Sequence, residues 1–218
     1  AQEVSCIIDQ LGGGISQLLG TGGRDLRKEI GGTMMKLCLD ALINDPKTKV
    51  IAMVSKPPAP EIAAQILDQA AAGGKSVVVC FIGGDPTEIE KRGLVAACSL
   101  EDCAHKAVAL SKGETPETFD TFSMGVQQAE QMAADEAAKM APTQKYIRGL
   151  YTGGTLCDEA MKLLIGELDH IQSNIPLNPE DNLENARTAA PVRHTFLDFG
   201  DDAFTVGRPH PMIDPSLR

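Results

Sequence analysis

Two short runs, Val50-Ile51-Ala52-Met53-Val54 and Ser76-Val77-Val78-Val79-Cys80-Phe81-Ile82, constrain this fold more than anything else in the chain. Both are apolar almost without a break, so neither alternates a wet face with a dry one. That pattern predicts strands buried on both faces of a parallel sheet. Parallel strands need long crossovers, and the sequence supplies one. Ser55-Lys56-Pro57-Pro58 leaves the first run and enters a helix from Glu61 to Ala72, which Gly73-Gly74 stops.

The flanking segments repeat the theme. Gln2 to Leu11 carries apolar residues at 4, 7, 8 and 11 and ends on Gly12-Gly13-Gly14, a helix with a glycine stop. Ile15 to Leu19 reads as a strand feeding the glycine turn Gly20-Thr21-Gly22-Gly23-Arg24-Asp25. A helix from Thr33 to Asn44 follows, with Thr33 as N-cap and Met34, Leu37, Cys38, Ala41 and Leu42 as its apolar stripe. The chain leaves the second run through Gly83-Gly84-Asp85. Pro86 to Gly93 shows no clear periodicity, Leu94 to Cys98 reads as a short strand, and Ser99 caps a helix from Leu100 to Lys112. Asp102 stands at the third helical position, where a capping-box acid belongs. Four β-α repeats with short loops predict an α/β fold, a flavodoxin-like doubly wound parallel sheet. In such sheets ligands sit at the C-terminal strand ends, where the Gly20 turn, Ser55-Lys56 and Gly83-Gly84-Asp85 all fall.

Beyond residue 113 the pattern changes. Glu114 to Phe122 is polar and reads as a linker, and Ser123 to Met140 as an Ala-, Gln- and Met-rich helix that either covers the sheet or bridges two domains. A second α/β unit then begins. Tyr146 to Leu150 and His194 to Phe199 are its strands, and Gly154 to Gly166 its helix, with Leu156, Ala160, Leu163 and Leu164 on one face. Asn174 to Ala190 reads as a flexible polar loop. The predicted division is therefore 1–113, 114–144 and 145–218. Two strands and one helix bury too little to stand alone, so the second unit is expected to be the start of a larger domain.

Composition narrows the function. A formal net charge of −10 opposes nucleic acid and anionic membrane. The six cysteines show no CxxC pair, no histidine stands at zinc spacing from Cys98 and Cys103, and most of the six lie inside apolar runs, so buried free thiols, rather than a metal site or disulfides, and a reducing, cytoplasmic setting are expected. No apolar run reaches the roughly 18 residues of a membrane span. The two glycine turns, Gly20 to Asp25 and Leu150-Tyr151-Thr152-Gly153-Gly154-Thr155, each fit either an oxyanion cradle or a plain turn. Arg24 and Arg208 offer planar forks suited to phosphate or carboxylate, or to structural ion pairs. Lys56 either faces the same cleft or is solvated. Asp201 and Asp202 orient a ligand or metal, or cap a turn. His210 is a candidate general base or a structural residue between two prolines.

Four stretches together carry a resemblance. Gly20 to Asp25, Val54-Ser55-Lys56-Pro57-Pro58, Gly149 to Thr155, and Asp198-Phe199-Gly200-Asp201-Asp202 with Thr205 to Pro215 are similar to the FdrA family, over nearly the whole chain. That family belongs to the succinyl-CoA synthetase-like superfamily and resembles the synthetase α subunit fused to the C-terminal domain of the β subunit. The resemblance implies a fragment of a longer protein, inactive alone, beginning after the first strand of one synthetase-like domain and ending within the next. It also implies that Gly20, Thr21, Gly22, Gly23 and Lys56, with Thr152, Gly153, Gly154 and Thr155, bind phosphate or another oxyanion, and that Arg24, Arg208 and His210 serve the chemistry. The synthetases pass a phosphoryl group through a histidine, expected here between Gly83 and Gly93, and that segment contains none. The resemblance to FdrA proteins implies the activity of a subunit of an oxamate carbamoyltransferase in ureide (allantoin) catabolism, moving a carbamoyl group to phosphate. The alternatives are an acyl-CoA synthetase and a non-catalytic scaffold. The implied ligands are a small anionic carbamoyl or acyl compound, phosphate and CoA. The implied partners are other subunits of a complex and a second copy of the chain.

Overall fold

The computed structural model describes residues 1–120, 124–190, 192–211 and 213–217. It divides into two compact units, Ala1–Asp120 and Thr121–Arg218. Each has its own sheet, and each is a mixed α/β structure with all-parallel strands.

The first unit is built on β1 (Val50–Ser55), β2 (Ser76–Phe81) and β3 (Val95–Ala96), in that order across the sheet. Val50 pairs with Ser76 and Ser55 with Phe81 along β1 and β2, and Val79 pairs with Ala96. β2 is central and its residues from Val77 onward are all buried, as its unbroken apolar run requires. β1 is wetter than its sequence suggests, with Ala52 exposed, because it lies at the sheet edge.

Helices cover both faces. On one side, α2 (Thr33–Asn44) and α3 (Pro60–Ala72) pack Leu39, Ile62, Ile66 and Leu67 against Ile51, Val77 and Val79. On the other, α1 (Gln2–Gln10) and α5 (Leu100–Ser111) pack Val4, Ile8, Cys103 and Ala104 against Val78 and Cys80. The alternation of β2 side chains between two helical layers is the physical content of the flavodoxin-like expectation. A short helix, α4 (Thr87–Glu90), occupies part of the segment between Pro86 and Gly93 that shows no periodicity.

Three expectations fail in this unit. Ile15 to Leu19 is not a strand: Ile15, Leu18 and Leu19 are 45%, 52% and 41% exposed, and the segment joins no ladder. Ser16 shares a 2.8 Å hydroxyl hydrogen bond with Thr48, just before β1, and Leu26 accepts from the Ala59 N–H, just after it. With glycines on both sides and no buried side chain, nothing fixes its register. The stripe of α2 is also different, since Met34 and Leu37 are exposed while Met35, Leu39, Leu42 and Ile43 face the core. The N-cap of α2 is Gly32 rather than Thr33.

At the start of α5, Ser99 Oγ accepts from the Asp102 N–H at 3.0 Å, as expected. The Asp102 carboxylate accepts from the N–H groups of Cys98 and Phe119 and from Lys106 Nζ, at 2.9, 2.9 and 2.8 Å. Lys106 also donates to the Ala96 carbonyl. This buried pair ties β3, α5 and the chain leaving the unit into one network.

The second unit begins with α6 (Val126–Ala137), which buries none of its residues. The expected start of that helix, Ser123, lies outside the described residues. The sheet comprises β4 (Arg148–Tyr151), β5 (Ile171–Ser173) and β6 (His194–Asp198), in the order β4-β6-β5. Among the described residues it therefore has three strands where two were expected. β5, only Ile-Gln-Ser, is too short and polar to announce itself. α7 (Gly154–Leu164) covers one face with Cys157 and Met161, against Ile171 and Phe196. Its stripe is Cys157, Ala160, Met161 and Leu164, so two of the expected residues, Leu156 and Leu163, point to solvent. The polar stretch after Asn174 is tied down: the Asn174 amide brackets Asp198, and Leu183 N–H donates to the Ser173 carbonyl.

Candidate functional site

In the first unit, Gly20 to Gly23 and Arg24 form an exposed turn, with Thr21 half-buried. The next residue behaves differently. Asp25 is 5% exposed, and its two carboxylate oxygens accept from the backbone N–H groups of Met34 and Met35 at 2.9 and 2.8 Å. A helix N-terminus leaves several N–H groups unsatisfied and favours negative charge. Here an internal carboxylate, nine residues upstream, meets both needs. The two N–H groups through which α2 would hold an oxyanion are already engaged. Sequence reading missed this role because the spacing lies far outside an ordinary cap. Ser55 and the exposed Lys56 lie at the end of β1, beside the exit of β2, where the Ile82 N–H donates to the Ser55 carbonyl at 3.0 Å.

In the second unit, residues distant in sequence meet at the C-terminal ends of β4 and β6. Tyr151 pairs with Asp198 in the last register of the ladder. Thr152-Gly153-Gly154-Thr155 turns from β4 directly into α7, with Gly153 as an N-cap that brings no side-chain acceptor. Asp198 ends β6, is 5% exposed, and accepts from the Gly200 N–H at 2.8 Å. Two glycines are needed for close approach here. A Cβ at Gly154 would stand 2.8 Å from Asp198 Oδ2, and a Cβ at Gly200 would stand 2.9 Å from His210 Nε2, 3.0 Å from Asp198 Oδ1 and 3.3 Å from the Thr152 carbonyl. One small volume therefore gathers the glycine turn, a buried carboxylate and an imidazole nitrogen.

The neighbours hold this cluster in place. Asn174 donates its amide to the Asp198 carbonyl and accepts from the Asp198 N–H, both at 3.0 Å, fixing the strand end from β5. Asp201 caps the short helix Asp202–Thr205 by accepting from the Ala203 N–H, which gives Asp201 a structural role. The Tyr151 hydroxyl, half-buried against Phe196, is pushed above its ordinary pKa by burial and then by Cys157. Arg208 is exposed and lines a shallow hollow of about 230 Å³ with Pro209, Asp214 and Ser216. Sequence reading named Asp198 only within a motif and Asn174 only as the start of a polar loop.

The other histidines are occupied elsewhere. His105 stacks on Phe119 with ring centroids 3.9 Å apart, His170 Nδ1 lies 2.8 Å from Asp181 Oδ1, and His194 Nδ1 accepts from the Ile147 N–H. The segment where a phosphoryl carrier was expected forms the turn and α4 instead. Chemically, the second-unit cluster offers a helix N-terminus for negative charge beside an imidazole next to a carboxylate, the parts of an oxyanion and proton-transfer site.

Two family models match separate parts of the chain. Residues 1–83 match the family model of the CoA binding domain, and residues 150–217 match that of CoA-ligase. The chain is also similar to the uncharacterized protein YahF of Escherichia coli (strain K12), 47% identical over all 218 residues. It spans 41% of that relative's length. No helix among the described residues is long and apolar enough to cross a membrane.

Proposed function

Since the chain carries a CoA-binding domain and a CoA-ligase domain of the succinyl-CoA synthetase type, we propose that it works in acyl-group transfer. Its specific role is that of an FdrA-like subunit of an oxamate carbamoyltransferase in ureide catabolism. The observation that carries this reading is the meeting of Gly153-Gly154, Asp198 and His210 at one end of the second sheet.

In this reaction a phosphate oxygen attacks the carbamoyl carbon of an oxamate conjugate. The bond to the oxamate nitrogen breaks, that nitrogen takes a proton, and carbamoyl phosphate leaves. The chain's contribution is to hold charge and move a proton. The first turn of α7 faces the anion, with its N–H groups and dipole favouring negative charge. His210 carries the proton to the leaving nitrogen, and Asp198, on the same side of Gly200, holds the imidazole in place. Transfer from a bound donor to a bound acceptor depends on positioning and oxyanion stabilisation and needs no phosphohistidine. Gly20 to Gly23, Arg24 and Lys56 offer anion contacts within the first unit and Arg208 one within the second, and other subunits, including a second copy of this chain, complete the complex.

The second reading is an acyl-CoA synthetase that binds CoA, supported by the two domain matches. One experiment separates them. The chain, within its full-length protein and with any subunits that co-purify with it, is given carbamoyl phosphate and oxamate, and the carbamoylated product is measured in the wild type and in His210→Ala. Product that depends on His210 supports the transferase. Formation instead of an acid-labile phosphoenzyme from ATP, with acyl-CoA as product, would replace it with the synthetase.

A further inference from the structure

At the opposite end of the second sheet from Gly153 and Asp198 lies a group of side chains that the proposed reaction does not use. His170 immediately precedes β5, whose first residue Ile171 pairs with His194, the first residue of β6. The chain leaves β5 at Ser173 and returns through a 3-10 turn, Pro179–Asp181. It is fastened by a bridge between Ser173 and Asn182 and by the Leu183 N–H donating to the Ser173 carbonyl at 2.9 Å. This return lays Glu180 and Asp181 against His170. One ligand atom from each of the three falls within 4.8 Å of the other two.

Two features set this group apart from an ordinary surface ion pair. Asp181 is 5% exposed, and its described side-chain partner is His170 Nδ1 at 2.8 Å. No lysine or arginine pairs with Glu180 or Asp181 among the described residues. A buried carboxylate without a fixed cation is costly, and a second carboxylate brought beside it by the same turn raises that cost. A divalent cation removes it and uses all three groups.

We propose that His170, Glu180 and Asp181 bind a divalent transition metal ion of the zinc class, at a structural site that pins the Asn174–Asn182 return to β5. One imidazole nitrogen with two carboxylates suits a borderline cation. The nitrogen argues against Mg²⁺ or Ca²⁺, which take oxygen. Ligand atoms about a tetrahedral Zn²⁺ stand about 3.3 Å apart, given bonds of about 2.0–2.1 Å. His170 and Asp181 are already closer than that, so the exposed Glu180 swings inward while the other two open slightly. Solvent completes the coordination on the half-exposed His170 side.

The test uses the 218-residue chain, stripped with chelator and kept reduced, titrated with ZnCl₂ by calorimetry and with CoCl₂ by visible absorption. The expected result is saturable one-to-one binding, a Co²⁺ spectrum without thiolate charge transfer, and a melting temperature that rises with free Zn²⁺. Glu180→Gln, at an exposed side chain that leaves the fold intact, weakens binding about tenfold, the lower end of what a metal site loses with a supporting group. His170→Gln abolishes it. Zn²⁺ that fails to bind, that binds both variants as well as the wild type, or that gives a thiolate spectrum from the exposed Cys6 and Cys98 would overturn the assignment. In that case His170 and Asp181 are a simple ion pair.

Discussion

Replacing Asp25 with alanine removes one side chain and two hydrogen bonds, and the structure sets the size of the loss. Asp25 is almost fully buried, and both oxygens accept from the first turn of α2, at 2.9 Å from Met34 N and 2.8 Å from Met35 N. An ordinary exposed N-cap is worth about 1 kcal/mol, whereas each hydrogen bond to a charged group contributes about 1.5–3 kcal/mol. Water recovers part of this at the two N–H groups, since Met34 is 46% exposed. The expected net cost is about 2–4 kcal/mol, with Asp25→Asn costing roughly half because one oxygen acceptor survives. The chain lacks tryptophan, so urea unfolding is followed by far-ultraviolet circular dichroism. A second arm adds inorganic phosphate, which stabilises Asp25→Ala by filling the vacated N-terminus and does so less in the wild type. A loss below about 0.5 kcal/mol, the range of a neutral surface change, would refute the claim that Asp25 holds α2. Equal phosphate effects on the two proteins would refute the claim that it occupies an anion position.

The remaining predictions follow from the same packing. Lys106→Met leaves the Asp102 carboxylate buried without its cation and costs about 3–5 kcal/mol in urea unfolding, whereas the double change Asp102→Leu with Lys106→Met costs less. Burial pushes the Asp102 carboxyl upward, but Lys106 and the Phe119 and Cys98 N–H groups outweigh it and hold its pKa below the ordinary value. Its stabilisation is therefore present above the unfolded-state pKa of 3.8 and is lost as pH falls through the lower folded value, seen as acid unfolding that is less steep in Asp102→Asn. Native alkylation with iodoacetamide, mapped by mass spectrometry, modifies the exposed Cys6 and Cys98 and spares Cys80, Cys103 and Cys157, which are buried. Burial raises the Cys103 thiol far above the reactive range.

Most of the first unit is legible in the sequence because its signals are local. The unbroken apolar run of β2 and the glycine-bounded helices α1 and α3 need no knowledge of neighbours. What escapes reading depends on distant partners. Ile15 to Leu19 has a strand's composition but buries no side chain and joins no ladder. β5 exists only through its pairing with β6 and offers three residues to the eye. The buried face of α7 was readable, since Cys157, Ala160, Met161 and Leu164 have perfect helical spacing once cysteine is counted as apolar. Both glycine turns were visible, but their difference was not. It rests on Asp25 reaching nine residues forward in one unit and on Asp198 meeting His210 in the other.

That difference is open to direct measurement. Inorganic phosphate titrated into ¹⁵N-labelled chain should shift the amide signals of Gly153, Gly154 and Thr155 saturably, together with the His210 ring. The Asp25-bound amides of Met34 and Met35 should stay in place. Movement of Met34 and Met35, or no saturable movement from Gly153 to Thr155, would contradict the account.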